Sequence, residues 1–503
     1  LRECLRVTEK YRCGLTRVRD LTGLRGSVIF LGAANGLNAA LHFVIPVALV
    51  RLLSVDDFGN YRLLWLAATS AMIFAPLGMP RSLQYFLPRS DEVDRRAFID
   101  QTFLFMLVTA GLSALFFLPS SPLLPATMKG LVNSSGYLVS VFVLFWVGAS
   151  LIEVLPSAME KYRHQAAFVS ILSLIQTAGI LASAWYFREA RSVVGFLVGF
   201  SILKYSVLLA FRYSQTGSLA LRISKELFLR QIRYALPLGI NGMLVQGRTV
   251  TEQWIVAIIF TSGQFAIFSV AASIYALLNV LKSSVNFVTV PRMSRLHAQG
   301  RVDKILELNN KGNIAVSFLL YPVLAFLMVN ASQVVEVLYT GDYSSAANVM
   351  RLYVGSMFIM AIEISSILIV HQQGPYMMRT SFLMILATLV AGVLGAKFSG
   401  LVGVAFGGLT AVTIGAIRNY FRVVRITGTP LLKIQHWNTI GIILIAASGG
   451  SAGAQWVMHS MMAHHAALIQ LPISLALTFL LYAGLLIIFR HGWLFAQLWR
   501  GRE

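Results

Sequence analysis

Residues 242–254, GMLVQGRTVTEQW, set Arg248 and Glu252 four positions apart inside an apolar stretch. On a helix that spacing puts both side chains on one face, within reach of each other. Gln246, Thr249 and Gln253 add further polar groups. An ionisable residue in the middle of a membrane span costs roughly 2.5–3.5 kcal/mol on insertion scales, so it faces a cavity or a partner. Arg248 therefore reads either as a contact for an anionic ligand, with Gln253 beside it, or as half of a structural pair with Glu252. Arg81 and Lys282 are the next candidates for a ligand-facing cation, each against the alternative of a side chain reaching back to the membrane surface. Lys204, late in its apolar segment, reads as such a surface-seeking lysine.

Three carboxylates could couple movement to a proton or a sodium ion: Glu153 in ASLIEVLPS, Glu252, and Glu363 in MAIEISSIL. A carboxylate held among apolar residues is available to bind and release a cation, although structural hydrogen bonding accounts for it equally well. His42 could also titrate, but a lone histidine on an apolar face reads as packing. The acidic pair Asp56–Asp57 in SVDDFGNYR reads as a turn between two apolar segments, with Arg51 and Arg62 close enough to neutralise it, rather than as a catalytic pair. His459, His464 and His465 have no carboxylates beside them, so no metal site is expected. Gly403 and Gly407 form a GxxxG, which lets two helices approach closely. No P-loop pattern is present, and nucleotide hydrolysis is not expected.

The elements that must carry these residues are membrane helices. The chain is 57% hydrophobic and 12% charged over 503 residues, and its mean hydropathy is +0.72. A soluble domain would carry roughly 25% charged residues. Apolar runs near or above the roughly 20 residues that cross a bilayer recur along the whole length. They are too long for barrel strands, so the backbone must satisfy itself as helix. About fourteen spans are expected, with cores at 27–52, 62–86, 97–118, 136–158, 165–187, 193–211, 234–260, 264–290, 312–330, 349–371, 378–397, 401–420, 438–458 and 468–489.

The net charge of +21 would suit nucleic acid, but its distribution does not. Arg and Lys cluster in alternate loops, among them residues 2–25, 89–96, 222–233, 292–311 and 418–433. By the positive-inside rule both termini are expected in the cytoplasm, which an even number of spans allows. Residues 1–26 form a basic tail that suits a surface helix on anionic lipid or a plain polar tail. Nothing in the tail resembles a cleaved signal peptide. Cys4 and Cys13, both in it, are expected to stay reduced.

The chain also repeats. Asn35 and Asn241, each in an Asn-Gly-apolar motif, are 206 positions apart, and Phe58 and Phe265 are 207 apart. FLPRS ending at Ser90 is answered by TVPRMS ending at Ser294. Two six-span halves beginning with the same hairpin follow.

VRLLSVDDFGNYRLL followed by FLPR, ALPLGINGML, IFTSGQFAIFSVAASI, VPRMSRL, HQQGPYMMR and GLVGVAFGGL together resemble the polysaccharide transporter family. That family's superfamily also holds multidrug exporters and lipid II flippases. The resemblance implies an all-α polytopic fold: a tail (1–26), an N-terminal six-helix bundle (27–211), a basic linker (212–233), a C-terminal six-helix bundle (234–425) and two further helices (426–503). It implies a secondary transporter of the bacterial cytoplasmic membrane, with no enzymatic activity and no cofactor. The implied cargo is a polyprenyl-diphosphate-linked oligosaccharide, moved to the outer leaflet by alternating access for surface polysaccharide assembly, alongside membrane lipids and polysaccharide assembly proteins. Alternatives are a lipid II or drug exporter of that superfamily. A membrane glycosyltransferase or polymerase is a third, less suited because the loops expected outside are short.

Overall fold

The computed structural model describes residues 21–462 and 467–489, without the side chains of 21–30, 274–288 and 462. Most of the basic tail with Cys4 and Cys13, the side chain of Lys282, His464 and His465 lie outside the described residues. Among the described residues every regular element is helical. In chain order these are α1 (Leu21–Leu52), α2 (Val55–Phe74), α3 (Met79–Phe86), α4 (Glu92–Phe116), α5 (Ala126–Ser135), α6 (Leu138–Ala149), α7 (Leu155–Ala158), α8 (Tyr162–Phe187) and α9 (Ala190–Thr216). They continue as α10 (Lys225–Ile259), α11 (Ser262–Ala298), α12 (Val302–Val329), α13 (Ala331–Tyr339), α14 (Ala346–Ala361), α15 (Ser365–Val370), α16 (Gly374–Thr427), α17 (Leu431–Ile434), α18 (Trp437–Met462) and α19 (Ala467–Ile488).

Nine stretches among the described residues are long and apolar enough to cross a membrane, and α2 with α3, bent by 46°, makes a tenth. One of the nine, α16, runs 54 residues only because it reverses at Ser399 and Gly400, where Gly400 takes φ +59°. Its two arms are antiparallel: a Cβ on Gly395 would lie 2.2 Å from the Gly403 carbonyl oxygen, and one on Gly407 would lie 2.4 Å from the Gly392 nitrogen. Gly403 and Gly407 thus serve close helix approach. The 35-residue α10, with its polar insertions, and the 16-residue α14 are not among the nine.

Two expected spans differ in a similar way. Residues 136–158 are helix only to Ala149, then tighten into a 3₁₀ turn at Ser150–Glu153 before α7. Residues 349–371 break between α14 and α15, at Glu363. An apolar run does not show where its backbone ladder opens, and each opening is held by a side-chain amide from a neighbouring helix. Gln165 Nε2 donates to the Glu153 carbonyl at 2.8 Å, and Asn313 Nδ2 to the Glu363 carbonyl at 2.9 Å.

In the first half α1 packs on α8, and α6 packs between α4 and α9; in the second, α10 and α14 pack on α16, and α11 on α12 and α14. The helices α18 and α19 pair with each other, and α18 lies on α12. The segment joining the halves is tied down by Asp100, which is fully buried on α4. Its carboxylate accepts from Arg212 Nε at 2.8 Å and from the Arg222 backbone N–H at 2.9 Å. Removing one partner of a buried ion pair strands the other, at a cost of about 3–5 kcal/mol. Asp100→Leu is therefore expected to lower the unfolding midpoint in detergent sharply and to reduce the amount of folded protein in membranes.

Candidate functional site

The interface between the halves is built around α2. At one end the two repeated corners meet each other. Ser54 caps α2 by accepting from the Asp57 N–H, and Thr261 caps α11 in a capping box with Gln264. Four residues beyond each cap, Phe58 and Phe265 are buried in the core. Across the contact Ser262 Oγ donates to Asp56 Oδ1 at 2.9 Å, and a Cβ on Gly59 would lie 2.1 Å from the Ser262 carbonyl oxygen. Asp57 turns inward instead, accepting from Ser54 Oγ at 2.7 Å and from the Ala190 N–H at 3.2 Å. Among the described residues neither Arg51 nor Arg62 forms an ion pair with these carboxylates. Arg51 donates to the carbonyls of Val337 and Leu338, at 2.6 and 2.8 Å. The carboxylates are satisfied by a helix-end N–H group and hydroxyls. At the other end the break between α2 and α3, with Leu77 at φ +44° and Gly78 at φ +79°, lies backbone to backbone against α10. A Cβ on Gly78 would lie 2.3 Å from the Ala235 carbonyl oxygen, and one on Gly239 would lie 2.3 Å from the Leu77 carbonyl carbon.

Between these contacts lie three cavities with shared walls. The largest, about 650 Å³, is lined by Thr69, Gln246, Arg248, Gln253, Glu363 and Asn419 among others. The middle one, about 300 Å³, holds Arg81, Glu153 and Gln246. The third, about 410 Å³, lies within the first half and holds His42, Trp65, Trp146, Glu153, Gln176 and Lys204. Thr69, Ile73 and Gln246 border both the first and the middle cavity, and Met72 and Glu153 border the middle and the third. The sequence-selected residues Arg81, Glu153, Arg248, Gln253 and Glu363 therefore all face this series of cavities.

Their chemical states differ. Arg248 Nη1 donates to Glu252 Oε1 at 2.6 Å, and Tyr353 Oη donates to Glu252 Oε2 at 2.7 Å. The Glu252 side chain is fully buried, and Gly408 leaves room for its carboxylate, since a Cβ there would lie 2.3 Å from Oε1. Arg81 on α3 is exposed to its cavity and has no hydrogen bond or ion pair among the described residues. Its Nη1 lies 3.8 Å from where a Cβ on Gly242 would stand, so the guanidinium reaches from the first half towards α10.

The sequence matches the family of polysaccharide biosynthesis proteins over residues 24–297. The chain belongs to that family. This polysaccharide biosynthesis protein is 23% identical over 346 residues to the EPS I polysaccharide export inner membrane protein EpsE of Ralstonia nicotianae, an alignment covering 65% of this chain and 76% of the relative. It is 24% identical over 349 residues to the protein of the same name from Ralstonia solanacearum, with the same coverage. Its fold is similar to the lipid II flippase MurJ in an inward closed conformation, with a TM-score of 0.69 at 14% identity, covering 92% of this chain and all of the other. It is also similar to an inward-facing multidrug resistance MATE family transporter of the MOP superfamily, with a TM-score of 0.59 at 12% identity, covering 78% and 94%. The fold is thus the all-α polytopic membrane fold of those transporters.

Several side chains of this polysaccharide biosynthesis protein stand differently from the sequence expectation. Lys204 does not seek the surface: it is buried, with Nζ 2.6 Å from Glu153 Oε1 and 4.2 Å from the Trp146 ring centroid. A carboxylate and an aromatic face from the neighbouring segment hold it. Glu363 closes the break it sits in, accepting from the Ser365 N–H at 2.6 Å and from Ser366 Oγ at 3.3 Å. His42 lines the third cavity rather than packing in the core. Sequence reading passed over the polar faces of α1 and α8. Asn35, Asn38 and His42 recur at spacings of three and four, and so do Gln165, Val169, Leu172 and Gln176, with Ser173 beside them. That spacing puts each set on one helix face. His42 and Asn35 stand out singly, but Asn38, Gln165, Ser173 and Gln176 are uncharged and escape a search for ionisable groups.

The corner contact yields a test of how the interface moves. Gly59→Ala must push Ser262 away, because its Cβ would overlap the carbonyl oxygen. In the alanine variant, disulfide formation between cysteines placed at Asp56 and Ser262 is expected to fall at least about tenfold in rate, corresponding to about 1.4 kcal/mol against the closed contact. An unchanged rate would mean that the corner absorbs the methyl group without opening.

Proposed function

We propose that this chain is a flippase that carries a polyprenyl-diphosphate-linked oligosaccharide from the cytoplasmic to the outer leaflet of the bacterial inner membrane, by alternating access, for surface polysaccharide biosynthesis. Family membership and the export role in the names of the Ralstonia relatives support the cargo class. The likeness in fold to MurJ and a MATE transporter supports a carrier without enzymatic chemistry. The observation that carries the reading is Arg81, a guanidinium with no protein partner among the described residues, facing the cavity between the halves. A diphosphate entering that cavity loses water, and a planar guanidinium replaces it with paired, charge-assisted hydrogen bonds. We assign Arg248, Lys282 and Gln253, on the opposite half, to the same substrate-binding set as Arg81.

In this reading 27–211 and 234–425 are the two moving bundles, joined by the 212–233 linker, and 426–503 is an appendage. Both termini are cytoplasmic in it, so the Asp56–Ser262 contact is the outer gate and the Gly78–Gly239 contact the inner one. Closure at both ends agrees with an occluded state. Glu153, Glu252 and Glu363 are the groups proposed to couple transport to a proton or sodium gradient. Lipid II carries the same diphosphate, and a cell-wall cargo would use the same cation.

Reconstituted vesicles decide between these. Lipid-linked glycan from cells lacking the transporter is expected to become accessible to an added glycosidase faster with the protein than without it, and faster still under an imposed proton or sodium gradient. Lipid II moved in preference would reassign the cargo, and a rate indifferent to both gradients would remove the coupling role of the three glutamates.

A further inference from the structure

The third cavity has chemistry that the anionic head of the cargo does not use. Its walls come from α1, α2, α6, α8 and α9, all in the first half. Lys204 supplies its cation, but Glu153 lies 2.6 Å away and balances it, so the cavity offers an incoming phosphate no uncommitted charge. What remains is aromatic and amide. Trp65 and Trp146 stand edge to face at 5.0 Å, with Phe168 and Phe200 beside them on the wall. Asn35 and Asn38 face them from α1, where Asn38 Oδ1 accepts from Ser173 Oγ at 2.7 Å.

Two wall amides have unused capacity. Gln165 and Gln176 are 4% and 7% exposed, and neither Gln165 Oε1 nor Gln176 Nε2 has a hydrogen-bond partner among the described residues. A buried amide group left unpaired costs about 1–3 kcal/mol, so either amide gains by turning towards a polar ligand in the cavity its side chain lines. One of the two is an acceptor and the other a donor. A hydroxyl or acetamido group can satisfy both kinds.

We propose that this cavity binds a neutral sugar ring of the cargo, the glycan subsite of a carrier whose diphosphate lies at Arg81. This rests on the flippase reading. A pyranose has apolar C–H faces, which suit tryptophan and phenylalanine walls, and a rim of hydroxyls, which suits amides. A volume of about 410 Å³ is within the range of small-molecule sites, roughly 300–1,000 Å³. Position agrees as well, because Glu153 and Met72 border both this cavity and the one holding Arg81. A glycan attached to a diphosphate at Arg81 therefore has its first sugars beside the wall that the two cavities share. The Lys204–Glu153 pair, whose carboxylate stands on that shared wall, would present charge to hydroxyls without attracting a second anion.

The test measures binding to the full purified chain of two probes: undecaprenyl diphosphate, and the lipid-linked glycan accumulated by cells lacking the transporter. Wild type is expected to bind the glycan-bearing probe at least about tenfold more tightly, the difference worth one or two neutral hydrogen bonds. Gln176→Leu, which leaves Gln165 to hold the Glu153 carbonyl, is expected to bind both probes alike, at the affinity of the sugarless one. Unchanged binding of undecaprenyl diphosphate shows that the variant is folded; if it is lost, Gln176→Met alone carries the comparison. A variant that keeps the wild-type preference overturns the subsite while leaving the carrier reading intact. Wild type that binds neither probe overturns the carrier reading itself.

Discussion

Arg81→Ala is expected to stop export of the surface polysaccharide while leaving the protein at its normal level in the membrane. Arg81 has no hydrogen bond or ion pair among the described residues, so its loss strands nothing. The destabilisation that follows from breaking a buried pair is therefore not expected here. What is lost is a hydrogen-bonding cation for a desolvated diphosphate, worth about 1.5–3 kcal/mol. That corresponds to about 10- to 150-fold in affinity for undecaprenyl diphosphate. Arg81→Lys keeps the charge but not the paired planar geometry, and is expected to fall between the two. Surface polymer measured by immunoblot, together with lipid-linked glycan accumulating inside the cell, reads the effect. Normal polymer in Arg81→Ala would move the anion site elsewhere in the cavity series.

This ordering of the cations was not available from sequence. Arg81 and Arg248 both sit in apolar segments, and segment chemistry alone favours Arg248 because more polar residues surround it. Those neighbours are what commit it: Glu252 is four residues away on the same face, and Tyr353, 101 positions on, completes the carboxylate's partners. The local half of that arrangement was legible, since it follows from helix periodicity. The pairing of Lys204 with Glu153 bridges 51 positions and was not. Helix breaks were hidden for a related reason. Glu153 and Glu363 each stand where a span opens, and what holds each opening is an amide from a neighbouring helix, which no local pattern announces. The repeat was legible, because Phe58 and Phe265 keep the same place after their caps. Its consequence, that the two corners touch, needed the fold.

The Arg248–Glu252 pair gives a second large effect, of a different kind. Arg248→Met leaves the fully buried Glu252 carboxylate with Tyr353 but without its cation. Breaking such a pair costs about 3–5 kcal/mol, enough to deplete folded protein in the membrane. Glu252→Gln/Arg248→Met removes both charges and keeps a hydrogen-bonding group for Tyr353, so folded protein is expected to recover most of the loss. Transport by the recovered double variant then separates the two roles of Arg248. If the arginine only neutralises Glu252, the double variant moves lipid-linked glycan at a rate near wild type. If Arg248 also holds the cargo, as proposed, the variant is folded yet slow, and its deficit combines non-additively with that of Arg81→Ala, because the two cations would share one anionic group from opposite halves. The cycle is read by fluorescence-detected size exclusion for folding and by glycosidase accessibility for transport. Folding that stays poor in the double variant would mean that Arg248 supports α10 through contacts other than Glu252.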